Sequence, residues 1–106
     1  MKNLPMDLLR SFVSVAQLNS ITKAGELLGR SQPAITLQMQ RLEELVDETL
    51  LTRNGKNMDL SEAGDRFYEH ANQILSLNDL AVTEFSKSAV TGKIRLGIPS
   101  EFATVL

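Results

Sequence analysis

The stretch from Ser20 to Val46 constrains the fold of this chain more than any other part of its 106 residues. It carries two runs of apolar residues at helical spacing, separated by a short stretch that contains Gly29. The first run predicts a buried side of four residues: Ile21, Ala24, Leu27 and Leu28. The second run predicts another: Ile35, Met39, Leu42 and Val46. Two helices joined by a short turn containing glycine form a helix-turn-helix.

We expect the first of these helices at about Thr22–Leu28 and the second at about Gln32–Val46. Either Thr22 or Ser20 can cap the first helix, because a side-chain oxygen there accepts hydrogen bonds from otherwise unpaired backbone N–H groups. Ser31 can cap the second helix in the same way. The helix bounds therefore follow from the hydroxyl residues that precede each apolar run.

Two further patterns flank this segment. Apolar residues at helical spacing follow Pro5 and predict a helix at about Met6–Leu18. Downstream, Asn54-Gly55 lies between Leu50–Arg53 and Lys56–Leu60, and Asn-Gly between such runs is a strong signal for a β-hairpin. A hairpin directly after a helix-turn-helix is called a wing.

A long helix is predicted from Ser61 to about Ser88, and about 28 residues at about 1.5 Å each make it about 40 Å long. Its apolar residues recur at near-heptad spacing: Phe67, Ala71, Ile74, Leu77 or Leu75, Ala81 and Phe85. A domain this small cannot cover a helix of that length. We therefore expect the apolar stripe to form the interface of a homodimer.

Beyond this helix, which Gly92 is expected to end, Lys93–Pro99 alternates polar and apolar residues and predicts a strand. Ser100–Ala103 is compatible with the start of another helix. Because one strand does not form a domain, we expect a second domain to begin here. The predicted fold is mainly α, with three parts: a winged helix-turn-helix of three helices and a two-stranded wing at 1–60, a long dimerisation linker helix at 61–90, and the start of another domain at 91–106.

Charge is distributed unevenly along the chain, whose formal net charge is −2. Residues 20–42 hold three basic residues against one acidic residue, and residues 50–58 hold two basic residues and no acidic one. Residues 61–90 hold five acidic residues against two basic ones. Because binding to phosphates requires Lys and Arg, a nucleic-acid surface is expected in the first two segments, with modest affinity from a single copy.

Composition narrows the possible functions. No apolar run reaches the length of a membrane span, and the N-terminus lacks the pattern of an export signal. The absence of cysteine excludes disulfides, thiolate metal sites and thiol switches within this chain. The single histidine, His70, has no partners nearby for a metal or catalytic site and is interpreted as a helix-surface or dimer-interface residue. These features predict a cytoplasmic protein without membrane contact, cofactor, metal or enzymatic activity.

Several motifs occur in one order along nearly the whole chain. They are Met6–Phe12, Ser20–Ala24, Ser31–Met39 with Arg41–Glu43, Leu50–Arg53 and Leu60–Gly64. In these motifs the chain resembles the N-terminal part of LysR-type transcriptional regulators. Three residues depart from the family pattern: Gly25 replaces the usual Ala, Asp47 the usual Gly, and Leu51 a frequent Phe.

The resemblance implies a winged helix-turn-helix domain that binds double-stranded DNA, followed by a dimerising linker helix. It also implies a dimer or tetramer on pseudo-palindromic DNA. A small-molecule effector would bind a C-terminal domain resembling periplasmic binding proteins, of which Lys93–Pro99 would be the first strand.

The second helix of a helix-turn-helix enters the major groove, so its exposed face is the candidate site for base contacts. Helical spacing places four residues opposite the core: Pro33, Thr36, Leu37 and Gln40. The resemblance implies groove-facing positions for Ser31, Gln32, Pro33 and Thr36. Gln32 can pair with adenine through two hydrogen bonds. Leu37 can contact a thymine methyl group, or it can be a partly covered apolar residue.

A second set of residues is predicted to contact the DNA backbone directly or through the wing: Thr22, Lys23, Arg30, Arg53, Lys56 and Asn57. Phosphate contacts position a protein on DNA without reading its sequence. For Arg53 the resemblance implies a minor-groove or backbone contact. A solvated surface role is the alternative for any single basic residue here. For the whole chain, the alternative is a winged-helix module that binds a protein and has no DNA function.

Overall fold

The structure is a computed structural model that describes the backbone of residues 2–94 and the side-chain exposure of residues 2–86. Its elements are, in chain order, α1 Met6–Leu18, α2 Ile21–Leu28, α3 Gln32–Val46, β1 Leu51–Asn54, β2 Asn57–Leu60 and α4 Glu62–Ile94. The predicted architecture of three helices, a two-stranded wing and a long helix is therefore confirmed.

Serine hydroxyl groups begin three of the four helices. The Oγ atom of Ser20 accepts a hydrogen bond from the N–H of Lys23 at 3.0 Å, so Ser20 caps α2 and Thr22 lies inside the helix. Ser31 caps α3 through the N–H of Ala34 at 3.3 Å. Ser61 caps α4 in the same way, through the N–H of Gly64. Because Ser20 is the cap of α2, that helix begins at Ile21, one residue earlier than predicted.

Three helices end on a residue in the left-handed conformation: Asn19 with φ 54°, Gly29 with φ 70° and Asp47 with φ 56°. This conformation is free of steric cost for glycine and less favourable for other residues. Asp47 therefore ends α3 in a conformation that favours glycine.

The core forms where α1 packs against α2, α3 and the start of the wing. Phe12 and Leu9 of α1 are fully buried, together with Ile35 and Leu42 of α3. The apolar spacing of α1 and α3 thus identified the core-facing side of each helix. In α2 one prediction is wrong, because Leu27 is 66% exposed. It lies at the edge of the helix's apolar face.

The wing is an antiparallel hairpin in which Leu51 pairs with Leu60 and Asn54 pairs with Asn57. Its two-residue turn consists of Gly55 and Lys56, one residue later than the predicted Asn54-Gly55 turn. Gly55 has a φ of 63°, which glycine adopts without strain, and this places the glycine at the first central position of the turn.

α4 extends to Ile94, so the predicted end at Gly92 is wrong. Lys93 and Ile94 continue the helix, whereas the sequence pattern assigned them to a strand. A single glycine costs a helix only about 1 kcal/mol, which hydrogen bonding along a long helix can offset. The rest of the predicted strand, and Ser100–Ala103, lie outside the described residues.

The first half of α4 packs on α1, and the compact unit that contains the three other helices ends at Leu75. The Phe67 ring meets the Phe12 ring edge-on, with their centroids 5.4 Å apart. Ala71 is fully buried, and Phe67 and Ile74 are half-buried against the same core. The prediction that Ala71 faces a second copy is therefore corrected, because its own chain covers it, whereas for the half-buried Phe67 and Ile74 it stays a prediction.

The second unit begins at Ser76, and its described part is the continuation of α4. Here the apolar side chains are uncovered: Leu77 is 67% exposed, Leu80 63% and Phe85 70%. Ala81 is exposed as well. Leu77, Leu80, Ala81 and Phe85 share one helix face because they are spaced three, four and eight residues apart. We call these four residues the linker face.

Candidate nucleic-acid interface

The exposed side of α3 carries the predicted base-contact residues. Five of the six line one open concavity of the surface: Gln32, Pro33, Thr36, Leu37 and Gln40. The sixth, Ser31, is exposed at the helix start. Leu37 is 50% exposed. We call Ser31 and these five residues the α3 face.

Two hydrogen bonds fix which side chains of α3 are available to a partner. Thr22 of α2 donates its hydroxyl hydrogen to the Oε1 atom of Gln32 at 3.4 Å, so the start of α2 supports the side chain at the start of α3. On the other side of the helix, the buried Ser11 hydroxyl donates to the Oε1 atom of Gln38. Gln38 is thereby held towards α1 and does not belong to the α3 face.

The predicted cationic residues are exposed in two places, within the helix-turn-helix and on the wing. Lys23 lies in the first turn of α2, and Arg30 lies in the turn that joins α2 to α3. On the wing, Arg53 is exposed at the third position of β1, followed by Lys56 in the turn and Asn57 at the start of β2. No described contact within the chain neutralises these basic side chains.

The two ends of α3 differ in charge, and this difference orients the helix towards a polyanion. Its N-terminal end carries the positive end of the helix dipole, next to Arg30. Its C-terminal end leads into a second concavity, lined by Gln40, Glu43, Glu44, Asp47, Glu48 and Thr49. Four carboxylates there repel phosphate groups. The first turns of α3 are therefore the part that suits a nucleic acid.

A contact between α3 and the wing was missed from the sequence. One carboxylate oxygen of Glu43, Oε2, accepts hydrogen bonds from the backbone N–H groups of Leu50 at 2.8 Å and Leu51 at 3.2 Å. The sequence offered only a weak signal: an acidic residue in the last turn of a helix opposes the helix dipole and is favoured there only by another contact. Where along the chain that partner lies depends on the fold.

Among the side chains of residues 2–86, the structure contains no cluster of three or more His, Asp or Glu residues arranged to hold a metal ion. Within residues 2–94, no helix combines the length and the apolar character needed to cross a membrane.

Comparison with known proteins gives consistent matches. Residues 6–65 match the family described as bacterial regulatory helix-turn-helix protein, lysR family. The HTH-type transcriptional regulator DgdR of Burkholderia cepacia is 39% identical over 104 residues, which cover 98% of this chain and 35% of DgdR. This chain therefore spans about a third of that relative's length.

Solved structures agree. The CbnR_DBD chain of a DNA complex has a TM-score of 0.74 and 34% identity, over 81% of this chain and 99% of that chain. The BenM_DBD chain of a complex with catB site 1 DNA has a TM-score of 0.76 and 34% identity, over 81% of this chain and 96% of that chain. The family match, the sequence identity and the shared fold together show that this chain belongs to the LysR family of bacterial regulatory helix-turn-helix proteins.

Proposed function

We propose that this chain is the sequence-specific DNA-binding part of a transcription regulator and that the α3 face contacts bases in the major groove. One observation carries the proposal: five of the six residues that sequence analysis assigned to base contacts line one exposed concavity. The similar CbnR and BenM chains were solved in complexes with DNA, which supports the assignment.

Residue chemistry divides the α3 face by role. Gln32 can form two hydrogen bonds with the edge of an adenine, and Gln40 offers the same amide two turns later. Leu37 provides an exposed apolar group for a thymine methyl. Thr36 supplies a hydroxyl. Ser31 uses one oxygen lone pair as a helix cap and keeps its hydroxyl hydrogen for a phosphate or a base.

Contacts to the DNA backbone come from the flanking residues in this proposal. Lys23 and Arg30 neutralise DNA phosphates on either side of α3. Thr22 donates a hydrogen bond to Gln32 and lies beside the DNA backbone. Arg53 reaches the minor groove or its edge from the wing, with Lys56 and Asn57 next to it. These contacts set the register and leave base recognition to α3.

The linker face supports a homodimer. Three of its side chains, Leu77, Leu80 and Phe85, are more than 60% exposed in the single chain. Burying an apolar side chain of this size contributes about 1.5–3 kcal/mol, so a second copy gives these residues a partner. Two copies would present two α3 faces to the halves of a pseudo-palindromic site. A tetramer, and effector binding by a C-terminal domain, are proposed only for a longer protein.

The alternative is a winged-helix module that binds a protein. It gains some support from the acidic C-terminal end of α3, which suits a basic protein surface rather than DNA. The relatives are transcription regulators and not enzymes. We therefore propose no enzymatic activity, and we place the regulator in the bacterial cytoplasm, where DNA is found.

The experiment that tests the proposal starts with the selection of bound duplexes from a pool of random DNA by the 106-residue chain. On the selected site, Gln32→Ala should lose about 1–3 kcal/mol of binding free energy and change the preferred base at one position. Lys23→Ala should weaken binding to all sequences alike and reduce the slope of affinity against salt by about one. Exposed Glu26, on the same helix as Lys23, supplies a matched control as Glu26→Ala.

Selection that yields no enriched sequence, from a chain that remains folded and dimeric, would contradict the proposal and favour the protein-binding alternative. Unchanged affinity of both Gln32→Ala and Lys23→Ala for a selected site would leave DNA binding in place but remove α3 from the interface.

A further inference from the structure

We propose that Glu43 is a positioning residue that sets the location of the wing, and through it of Arg53, relative to the α3 face. The inference deepens the proposed function and rests on it. The Glu43 carboxylate points away from the α3 face towards the chain that enters the wing.

Both hydrogen bonds of the Glu43 side chain reach the same short segment, Leu50 and Leu51. Oε2 of Glu43 accepts both the Leu50 N–H at 2.8 Å and the Leu51 N–H at 3.2 Å, and hydrogen bonds to a charged acceptor are about twice as strong as neutral ones. Leu50 is 1% exposed, and Leu51 is the first residue of β1. The strand that carries Arg53 therefore begins at a point tied to α3 by a side chain.

The same peptide segment also holds the start of α4. The carbonyl oxygen of Leu50 accepts the backbone N–H of Ser61 at 2.9 Å, so both polar groups of Leu50 are engaged. β1 is anchored on one side to α3 and on the other to the residue that caps α4. A displacement of Leu50 would shift the start of β1, which pairs with β2 in a two-stranded sheet.

A different residue anchors the second strand. The carbonyl oxygen of Asn19, at the end of α1, accepts the N–H of Met58 at 3.0 Å, and its side-chain Nδ2 atom donates to the Asp59 carboxylate at 3.3 Å. β2 is thus held by α1 and β1 by α3. Loss of the Glu43 carboxylate leaves β1 attached through β2 and through the Ser61 contact, but removes the two hydrogen bonds that tie the start of β1 to α3.

This arrangement predicts a specific coupling between two residues. Arg53 lies three residues beyond Leu50, at the exposed third position of β1. Its contribution to DNA binding depends on where β1 begins, whereas the contribution of Gln32 depends on α3 alone. Removing the Glu43 carboxylate should therefore abolish the effect of Arg53 and leave that of Gln32 unchanged.

The test is a pair of double-mutant cycles on the selected DNA site, with affinity measured at fixed salt. In the otherwise unmodified chain, Arg53→Ala should weaken binding about tenfold, as expected for one arginine contact. In the Glu43→Ala background, Arg53→Ala should weaken binding by no more than about twofold. Gln32→Ala should weaken binding by the same factor in both backgrounds, since the two residues act independently.

Three variants separate positioning from charge and from folding. Glu44→Ala removes the same charge from the next, exposed residue and should leave the Arg53 effect intact. Glu43→Gln keeps an oxygen that can accept from both N–H groups, so in this background Arg53→Ala should again weaken binding about tenfold. Glu43→Asp keeps the charge on a side chain one methylene shorter, so in this background Arg53→Ala should weaken binding by no more than about twofold. It serves as the test variant if Glu43→Ala does not fold.

The outcomes distinguish the two proposals. If Gln32→Ala has no effect on binding, the assignment of α3 to the groove fails. If Gln32→Ala weakens binding but Arg53→Ala has the same effect in the Glu43→Ala or Glu43→Asp background as without it, or no effect in either, the positioning role of Glu43 is overturned and the proposed function stands.

Discussion

The two halves of α4 share one helix and similar apolar spacing, yet their side chains have different surroundings. Ala71 in the first half is fully buried, and Phe85 in the second half is 70% exposed. The first half meets α1, whereas no described part of the chain covers the linker face. Apolar spacing therefore identifies a face that must be covered, and only the tertiary structure shows whether the chain covers it itself.

The contact that makes the difference is an aromatic one. Phe12 of α1 lies within 5.4 Å of Phe67 and 6.4 Å of Tyr68, measured between ring centroids. The hydroxyl group of Tyr68 also accepts a hydrogen bond from the Gln17 side chain at 3.2 Å. These residues fix the first turns of α4 on α1. Four substitutions, each paired with a control variant, test whether the two halves differ as the structure indicates.

The largest effect is expected from Ala71→Asp. A carboxylate at this fully buried position has no partner, and an uncompensated buried charge costs about 3–5 kcal/mol of folding free energy. Ala81→Asp, the same change ten residues later at an exposed site, should change the unfolding free energy of the domain by less than about 0.5 kcal/mol. Urea denaturation at low protein concentration measures both, because association would add to the apparent stability. Equal losses would contradict the comparison.

The second largest effect is expected from Phe67→Ala, which should lower the free energy of unfolding by about 2–3 kcal/mol. Complete burial of a phenylalanine is worth about 3–5 kcal/mol against alanine, and Phe67 is only half-buried. Its edge-on contact with Phe12 adds to the loss. Phe85→Ala is the matched control, and thermal unfolding followed by circular dichroism at low protein concentration, where the chain is monomeric, should show no loss for it. A similar loss for both would mean that α1 does not distinguish the two halves.

Gly64→Ala should lower the free energy of unfolding by up to about 2 kcal/mol. A Cβ atom at Gly64 would overlap the carbonyl oxygen of Leu50, which is backbone and already accepts the Ser61 N–H. Overpacking of this kind costs about 1–3 kcal/mol, and the higher helix propensity of alanine returns about 1 kcal/mol. Ser76→Ala, at an exposed position of the second half, should be neutral in the same urea titration. A neutral Gly64→Ala would show that α4 can shift away from the wing.

The sequence predicted most accurately what local chemistry determines. Ser31 was correctly identified as a helix cap, because a cap requires only a hydroxyl and a free N–H group three residues later. The α3 face was also correctly located as exposed, since helical periodicity separates it from Ile35 and Leu42 without reference to other elements.

Contacts between distant residues were not predicted. The sequence assigned Phe67 and Ala71 to a dimer because nothing in it shows that α1 lies over them. Leu27 was expected in the core, although its position on the edge of a short helix leaves it in solvent. The Glu43 anchor was missed because its partners are seven and eight residues away across a turn whose path the sequence does not specify.

The smallest effect on folding, and the largest on assembly, is expected from Phe85→Asp. Because Phe85 is 70% exposed in the single chain, the free energy of unfolding of the monomer should change by less than about 0.5 kcal/mol. A carboxylate in the proposed dimer interface would lose the burial of an aromatic side chain, worth about 1.5–3 kcal/mol, and would have to be desolvated. Sedimentation equilibrium should therefore show the dimer dissociation constant raised at least about tenfold, whereas Glu84→Gln should dimerise at least as well as the unmodified chain. If the unmodified chain is a monomer at high concentration, or if Phe85→Asp dimerises as before, the linker face is not the dimer interface, and the exposed half of α4 must meet something other than a second copy.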